Sequence, residues 1–301
     1  MRHESVLLNE VLETLALKPG DRVIDCTLGD GGHAEAIMER IGENGKLLGI
    51  DADPESLLRA KRYLYRFGEQ TAFARGNFRD LKKIAAASGF EKAEAILMDL
   101  GWSSPQFEER NRGFSFEKDE PLDMRFDPYE SRATAADILN NSEGSELKTI
   151  FKQFGEEKFS DELAAKVVEM RRFEPINTTK QFSEIILSVY REKLHTDKEV
   201  PWVGGTHPAT KAFQALRIAV NQELESLKQA LPQAVDLLAT GGRLVVITFH
   251  SLEDRIVKQF FAGIAGKQVE FINKKPVGPA GPELAVNRRS RSAKLRGVYK
   301  I

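Results

Sequence analysis

Apolar and polar positions in the first hundred residues switch between two periods. Arg22–Cys26 (RVIDC), Lys46–Asp51 (KLLGID), Thr71–Arg75 and Ala93–Leu100 (AEAILMDL) are short apolar runs and predict strands. Between them, segments near His33–Ile41, Pro54–Arg66 and Arg79–Ala87 predict helices, the second with Pro at its first turn. Strands alternating with helices of this length imply βαβ units and an α/β fold built on a mostly parallel sheet.

The rhythm then fails. The next convincing strand is Arg243–Phe249 (RLVVITF), entered through Gly241-Gly242. It lies about 140 residues past Asp99, whereas a βαβ unit needs only about thirty. One long helix beginning at Pro208 fills part of the gap. Its apolar residues Phe213, Leu216, Val220, Leu224, Leu227 and Leu231 step by three or four, and Pro232 is expected to kink or end it. The remainder, 106–207, reads as an inserted, mainly helical domain that recognises substrate, splitting the sheet domain into 1–105 and 208–301. Within it, Ser160 is placed to cap one helix with Leu163, Val167 and Met170 as its stripe. Thr178 or Thr179 starts another, burying Phe182, Ile185, Ile186 and Val189.

Composition narrows the class. Hydrophobic residues are 41% of the 301, enough for a sizeable core. No run reaches the ~18 apolar residues a membrane span needs. Glu4 and Glu10 interrupt the N-terminal apolar residues, which fits no targeting peptide. The single cysteine, Cys26, excludes a disulfide scaffold and suits a reducing, cytoplasmic compartment. Lys plus Arg is 44 against 45 acids, so nucleic-acid contact requires a local patch. The C-terminal Arg288, Arg289, Arg291, Lys294, Arg296 and Lys300 form one candidate, either a phosphate-binding tail or a solvated one. The five histidines show no metal-binding spacing, so no metal is expected.

The strongest chemical signal is the turn Asp25-Cys26-Thr27-Leu28-Gly29-Asp30-Gly31-Gly32-His33. Glycines between a first strand and a first helix let a ligand approach the backbone. Asp51 stands twenty residues past Gly31, at the end of the second strand, where a carboxylate can accept both hydroxyls of a ribose. The turn reads G-D-G-G-H-A and lacks the third glycine of the dinucleotide fingerprint, which disfavours a nicotinamide-dependent oxidoreductase. Asp25 and Asp30 also place negative charge where a pyrophosphate would sit. An adenosine cofactor bearing an amino acid fits better, since its ammonium can meet Asp25 or nearby carbonyls; S-adenosylmethionine has that feature.

At the end of the fourth strand, Asp99-Leu100-Gly101-Trp102-Ser103-Ser104-Pro105-Gln106-Phe107 occupies the edge where open α/β sheets bind ligands. Asp99 can accept a hydrogen bond from an exocyclic amine, and Trp102 or Phe107 can stack on a base; cap and core roles are the alternatives. Methylating a ring carbon of cytosine requires a nucleophile, normally cysteine. Cys26 lies inside the cofactor turn, the wrong place for that role, so nitrogen or oxygen is the expected acceptor.

These motifs, together with HESVLLNEVL from His3, HPATKAFQALRIAVNQEL from His207, ITFHSLEDRIVKQFF from Ile247 and RSRSAKLR from Arg289, closely resemble the bacterial ribosomal RNA small subunit methyltransferase H family nearly end to end. The resemblance implies a class I methyltransferase fold with a helical insert and S-adenosylmethionine as methyl donor. It implies N4-methylation of a decoding-centre cytidine, cytidine 1402 of 16S ribosomal RNA, with the small ribosomal subunit as the setting. It also implies that Gly31, Gly32, His33, Asp51, Phe78, Asp99 and Gln106 contact the cofactor, with Asp99 catalytic. The other functional class is a non-catalytic RNA-binding or assembly factor on the same scaffold. Phe107, Phe114, Phe116, Phe126 and Tyr129 are either a platform for bases or the insert's packing. Arg217 and Asn221, one helical turn apart, either enter the cleft or form a surface pair. His250 receives no role.

Overall fold

The computed structural model describes residues 5–101, 111–196 and 207–301, with the side chains of residues 286, 288 and 289 excepted. Trp102, Gln106 and Phe107 therefore lie outside the described residues. The chain forms two compact units, residues 1–103 with 224–301, and residues 104–223.

The first unit contains α1 (Leu8–Leu15), β1 (Arg22–Asp25), α2 (Gly32–Ile41), β2 (Lys46–Asp51), α3 (Pro54–Tyr63), β3 (Thr71–Arg75), α4 (Leu81–Ala87) and β4 (Ala93–Asp99). Its strands run in the order β3-β2-β1-β4, all parallel. The later segment adds β5 (Leu238–Thr248), parallel to β4, then β7 (Lys294–Lys300) and the edge strand β6 (Val269–Phe271), both pairs antiparallel. Alternation along each strand sends side chains to opposite faces. Val23, Leu47, Leu97 and Ile247 join one cluster with Val11, Ile37, Met38 and Leu64. Ile24, Leu48, Met98 and Val246 join the other with Leu81, Leu231, Val257 and Phe261. The chain leaves β1 toward β2 and β3, then returns to lay β4 on β1's other side. The carboxyl ends of β1 and β4 thus flank the switch point where such sheets bind ligands.

The second unit contains α5 (Ala135–Asn141), α6 (Gly144–Gly155), α7 (Ser160–Met170), α8 (Thr179–Leu194) and α9 (Ala209–Asn221). Thr178 opens α8 with a capping box shared with Gln181, and Phe182, Ile185, Ile186 and Val189 are buried, as the sequence predicts. Phe151 stacks near Phe182 at 6.0 Å, and Phe182 lies 5.4 Å from Phe213. At Gly155 a Cβ would lie 2.6 Å from the Lys211 carbonyl oxygen, so glycine permits α6 and α9 to approach closely.

Several expectations change. The expected continuous helix from Pro208 is two helices, α9 and α10 (Glu223–Leu237), broken at Gln222, whose φ is 51°. Asn221 turns inward there: its Nδ2 donates to the Met124 carbonyl and its Oδ1 accepts from Phe126 N–H. A three-to-four periodicity does not register one left-handed residue. Pro232 neither ends nor starts a helix but lies inside α10, and its surface position lets water meet the carbonyl it leaves unbonded. The helix α9, grouped above with the sheet domain, belongs to the second unit. Ser160 is the first residue of α7 rather than its cap, and Met170 is exposed. Arg217 pairs with Glu223 at 2.8 Å, so with Asn221 it serves packing of the second unit.

The basic tail is not a tail over residues 294–300. Leu295 and Val298 are buried, and Arg296 forks onto Asp254 of α11 (Ser251–Ile264), with Nε to Oδ1 at 2.7 Å. Lys300 Nζ donates to the carbonyls of Val235 and Leu238, both at 2.9 Å. Charge counting hid the alternation in Lys-Leu-Arg-Gly-Val-Tyr-Lys that makes this segment a strand. Among the insert aromatics, Phe114 is buried against Phe126 and Phe116 stacks on His207 at 4.4 Å, which is packing. Tyr129 is exposed.

Candidate cofactor site

The site grows from the end of β1. Asp25 is buried, and its Oδ1 accepts the Thr27 N–H at 3.1 Å. The chain then reverses through Gly29 (φ 53°) and Gly31 (φ 88°), a left-handed geometry that glycine adopts without steric cost. Gly31 is the residue before α2, and a Cβ on Gly32 would fall 2.2 Å from Ser5 Oγ. Gly31 is thus required by the chain's own path, whereas a side chain at Gly32 would displace the Ser5 hydroxyl.

Asp51, at the end of β2, braces this turn. Its Oδ2 accepts Gly29 N–H at 2.7 Å, and its Oδ1 accepts Asp53 N–H at 2.8 Å. Phe78 lies in a single 3-10 turn, Phe78–Asp80, after β3, half-buried against the core below the sheet edge. At the end of β4, the Asp99 N–H donates to Thr27 Oγ1 at 2.7 Å, tying β4 to the turn. Gly101 N–H donates to Asp99 Oδ1 at 3.1 Å. The other oxygen, Oδ2, lies 3.5 Å from His33 Nδ1, and His33 Nε2 is 3.0 Å from the Val6 carbonyl. The turn, Asp51 and Asp99 are brought together; Phe78 stands at the neighbouring strand end, and Gln106 lies outside the described residues.

Electrostatics distinguish the acids. Asp30, expected to add negative charge at the turn, pairs with Arg59 Nε at 2.8 Å and is compensated. Among the described residues Asp25 has no such cation. Burial, with Asp99 and Asp51 nearby, raises its pKa to about 7 despite the Thr27 hydrogen bonds. The Cys26 thiol is pushed well above its ordinary value by burial and by Asp25, so it does not supply a thiolate. His250 opens α11 in a capping box with Glu253, a structural task. The sequence reading missed the Thr27 hydroxyl and the Val6 carbonyl as braces. A hydroxyl inside a glycine turn was a signal for the first; a backbone carbonyl leaves no signal.

The family model for the MraW methylase family matches residues 1–301. The chain belongs to that family. It is 44% identical, over 318 aligned residues, to ribosomal RNA small subunit methyltransferase H of Thermomicrobium roseum, spanning 99% of this chain and 94% of that one. The protein of the same name from Symbiobacterium thermophilum is 42% identical, with 99% and 96% covered. Among solved structures, an rRNA methylase of Streptococcus thermophilus aligns at 11% identity and TM-score 0.45, covering 98% of this chain and 93% of that one. Methyl transfer from S-adenosylmethionine is the chemistry of this family. The residues present fit that donor: a buried carboxyl group at Asp25 with no cation against it among the described residues suits a ligand carrying positive charge, and the glycine turn admits it.

Proposed function

We propose that this protein methylates N4 of a cytidine in 16S ribosomal RNA, cytidine 1402 of the decoding centre, with S-adenosylmethionine as donor. The observation that carries the reading is the pairing of an inert Cys26 with a partly exposed Asp99 at the sheet's switch point. Without a thiolate, ring-carbon methylation lacks its covalent activator. An exocyclic amine needs only orientation and an acceptor for its proton. The names of the relatives, which specify small-subunit ribosomal RNA, supply the substrate class.

In this reading Gly31, Gly32 and His33 line the donor's amino-acid end, with Asp25 facing its ammonium. Asp51 takes the ribose hydroxyls, Phe78 lies beside the adenine, and Asp99 and Gln106 complete the pocket. When bound, the donor supplies an electrophilic methyl group on a sulfonium. Asp99 accepts a hydrogen bond from the amine, aims its lone pair, and takes the proton released as the N–C bond forms. Residues 106–207 present the RNA, and the enzyme works in the cytoplasm on small ribosomal subunits.

The test is methyl transfer from labelled S-adenosylmethionine to subunits lacking decoding-centre methylation, followed by nucleoside mass spectrometry. N4-methylcytidine is the expected product. A methylated ring carbon, or no incorporation with donor binding intact, overturns the reading, the latter in favour of an RNA-binding assembly factor.

A further inference from the structure

Two segments far apart in the sequence meet beside the glycine turn. Residues 5–7, just before α1, lie against the start of α2: Ser5 Oγ covers Gly32, and Val6 and Leu7 are buried in the cluster that holds Ile37 and Met38. The short helix α12 (Gly281–Val286), beyond the proline-rich loop, brings Glu283 to the same segment. Its Oε1 accepts the Leu7 N–H at 2.9 Å, across 276 positions of sequence. That N–H and the Val6 carbonyl are the two ends of one planar peptide group, pointing in opposite directions. The carbonyl end accepts from His33 Nε2 at 3.0 Å. Glu283 and His33 therefore grip the same plane from its two sides, and neither end can turn without the other. Leu7 has φ 55° and ψ 35°, a left-handed conformation that is unfavourable for a leucine. Turning the plane changes that φ and would relieve the strain. Burial of the Val6 and Leu7 side chains does not prevent the turn, since a peptide can rotate with its two Cα atoms nearly fixed.

We infer that Glu283 is a positioning residue for His33, acting through the Val6–Leu7 peptide, and so shapes the wall that takes the donor's amino-acid end. Glu283 makes no contact with the donor itself. It holds the peptide in the strained orientation that keeps the Val6 carbonyl on His33 Nε2, and that bond fixes where the ring stands at the start of α2. Without an acceptor for the Leu7 N–H, nothing opposes the turn that relieves Leu7, and the carbonyl leaves the ring. The donor then has to reorder the segment as it binds, at the expense of affinity. The inference rests on the proposed placing of His33 against the donor and is independent of the acceptor atom.

Three measurements on the full chain test it, with Glu283→Ala, Glu283→Gln and His33→Ala as variants. Amide hydrogen exchange of the ligand-free protein, read by NMR, should show the Leu7 N–H exchanging about tenfold faster in Glu283→Ala. The His33 ring resonances should move in the same variant. Calorimetry with S-adenosylmethionine should give a dissociation constant about tenfold weaker. Glutamine keeps an oxygen for the Leu7 N–H, so Glu283→Gln should return all three close to the wild type. Unchanged Leu7 exchange in Glu283→Ala overturns the clamp. Faster exchange with unmoved His33 resonances, or with donor affinity intact while His33→Ala weakens it, overturns the positioning role. If His33→Ala also leaves donor affinity intact, His33 is not at the donor and the inference falls with that placing. A product other than N4-methylcytidine would refute the proposed function alone, since none of these measurements depends on the acceptor.

Discussion

Asp25→Asn separates the cost of the acidic turn from its use. The Asp25 carboxyl ionises near 3.8 in an unfolded chain and near 7 in the folded one, chiefly because it is buried. Below pH 3.8 it is protonated in both states and imposes no penalty. Between about 4 and 7 the unfolded chain ionises and the folded one does not, so rising pH steadily removes stability; above 7 the loss levels off. A difference of about three pKa units corresponds to about 4 kcal/mol. Asparagine keeps an oxygen for Thr27 N–H and offers N–H donors toward Asp51 and Asp99, without an ionisable group. Urea unfolding of ligand-free protein at pH 4.5, 6 and 8, followed by circular dichroism, gives the comparison. The variant should exceed the wild type by only about 1 kcal/mol at pH 4.5 and by up to about 4 kcal/mol at pH 8. Its affinity for the donor should be lower than wild type at pH 8 and close to it at pH 5.5, because only the ionised carboxylate favours an ammonium. Parallel pH profiles for the two proteins would refute the claim that Asp25 is held protonated.

Gly31→Ala forces a left-handed φ of 88° on a residue with a Cβ, and should cost about 1–2 kcal/mol in thermal unfolding. Arg296→Ala leaves Asp254, among the described residues, with Lys294 at 3.4 Å as its remaining cation; it should destabilise by about 2–4 kcal/mol yet leave the salt dependence of RNA binding unchanged. A flattened salt slope would return Arg296 to phosphate contact. Pro232→Ala restores an N–H toward the Lys228 carbonyl on the exposed side of α10, and the melting temperature should rise in line with about 1–3 kcal/mol.

What could be read in advance followed from local pattern. The strands Lys46–Asp51 and Thr71–Arg75 match to the residue, because each is a short apolar run between strong stops. The pairing of the glycine turn with Asp51 was also legible, since both sit at strand ends whose order the βαβ rhythm dictates. The break at Gln222 was not, because it depends on Asn221 reaching Met124, 97 positions away in the chain. Nor was β7, whose cations look solvated until Asp254 and the carbonyls after α10 are placed beside them. Asp30 shows the same limit: its charge counted toward the acidic turn until Arg59 was found against it.

The braces around the turn also explain which ligand charge it selects. Asp51 spends an oxygen each on two backbone amides, and Asp99 has one amide and His33. Asp25 alone answers burial by holding a proton. The protein thus compensates two carboxylates itself and leaves the third to be completed by what binds. A cationic ligand gains twice, through attraction to the ionised group and through relief of its desolvation. An anion such as a pyrophosphate would meet a carboxyl already short of compensation, with no arginine or lysine directed at it among the described contacts of Asp25. The missing third glycine and the raised Asp25 therefore oppose a dinucleotide for independent reasons, one steric and one electrostatic. The same two features suit a donor that carries an amino acid and a sulfonium.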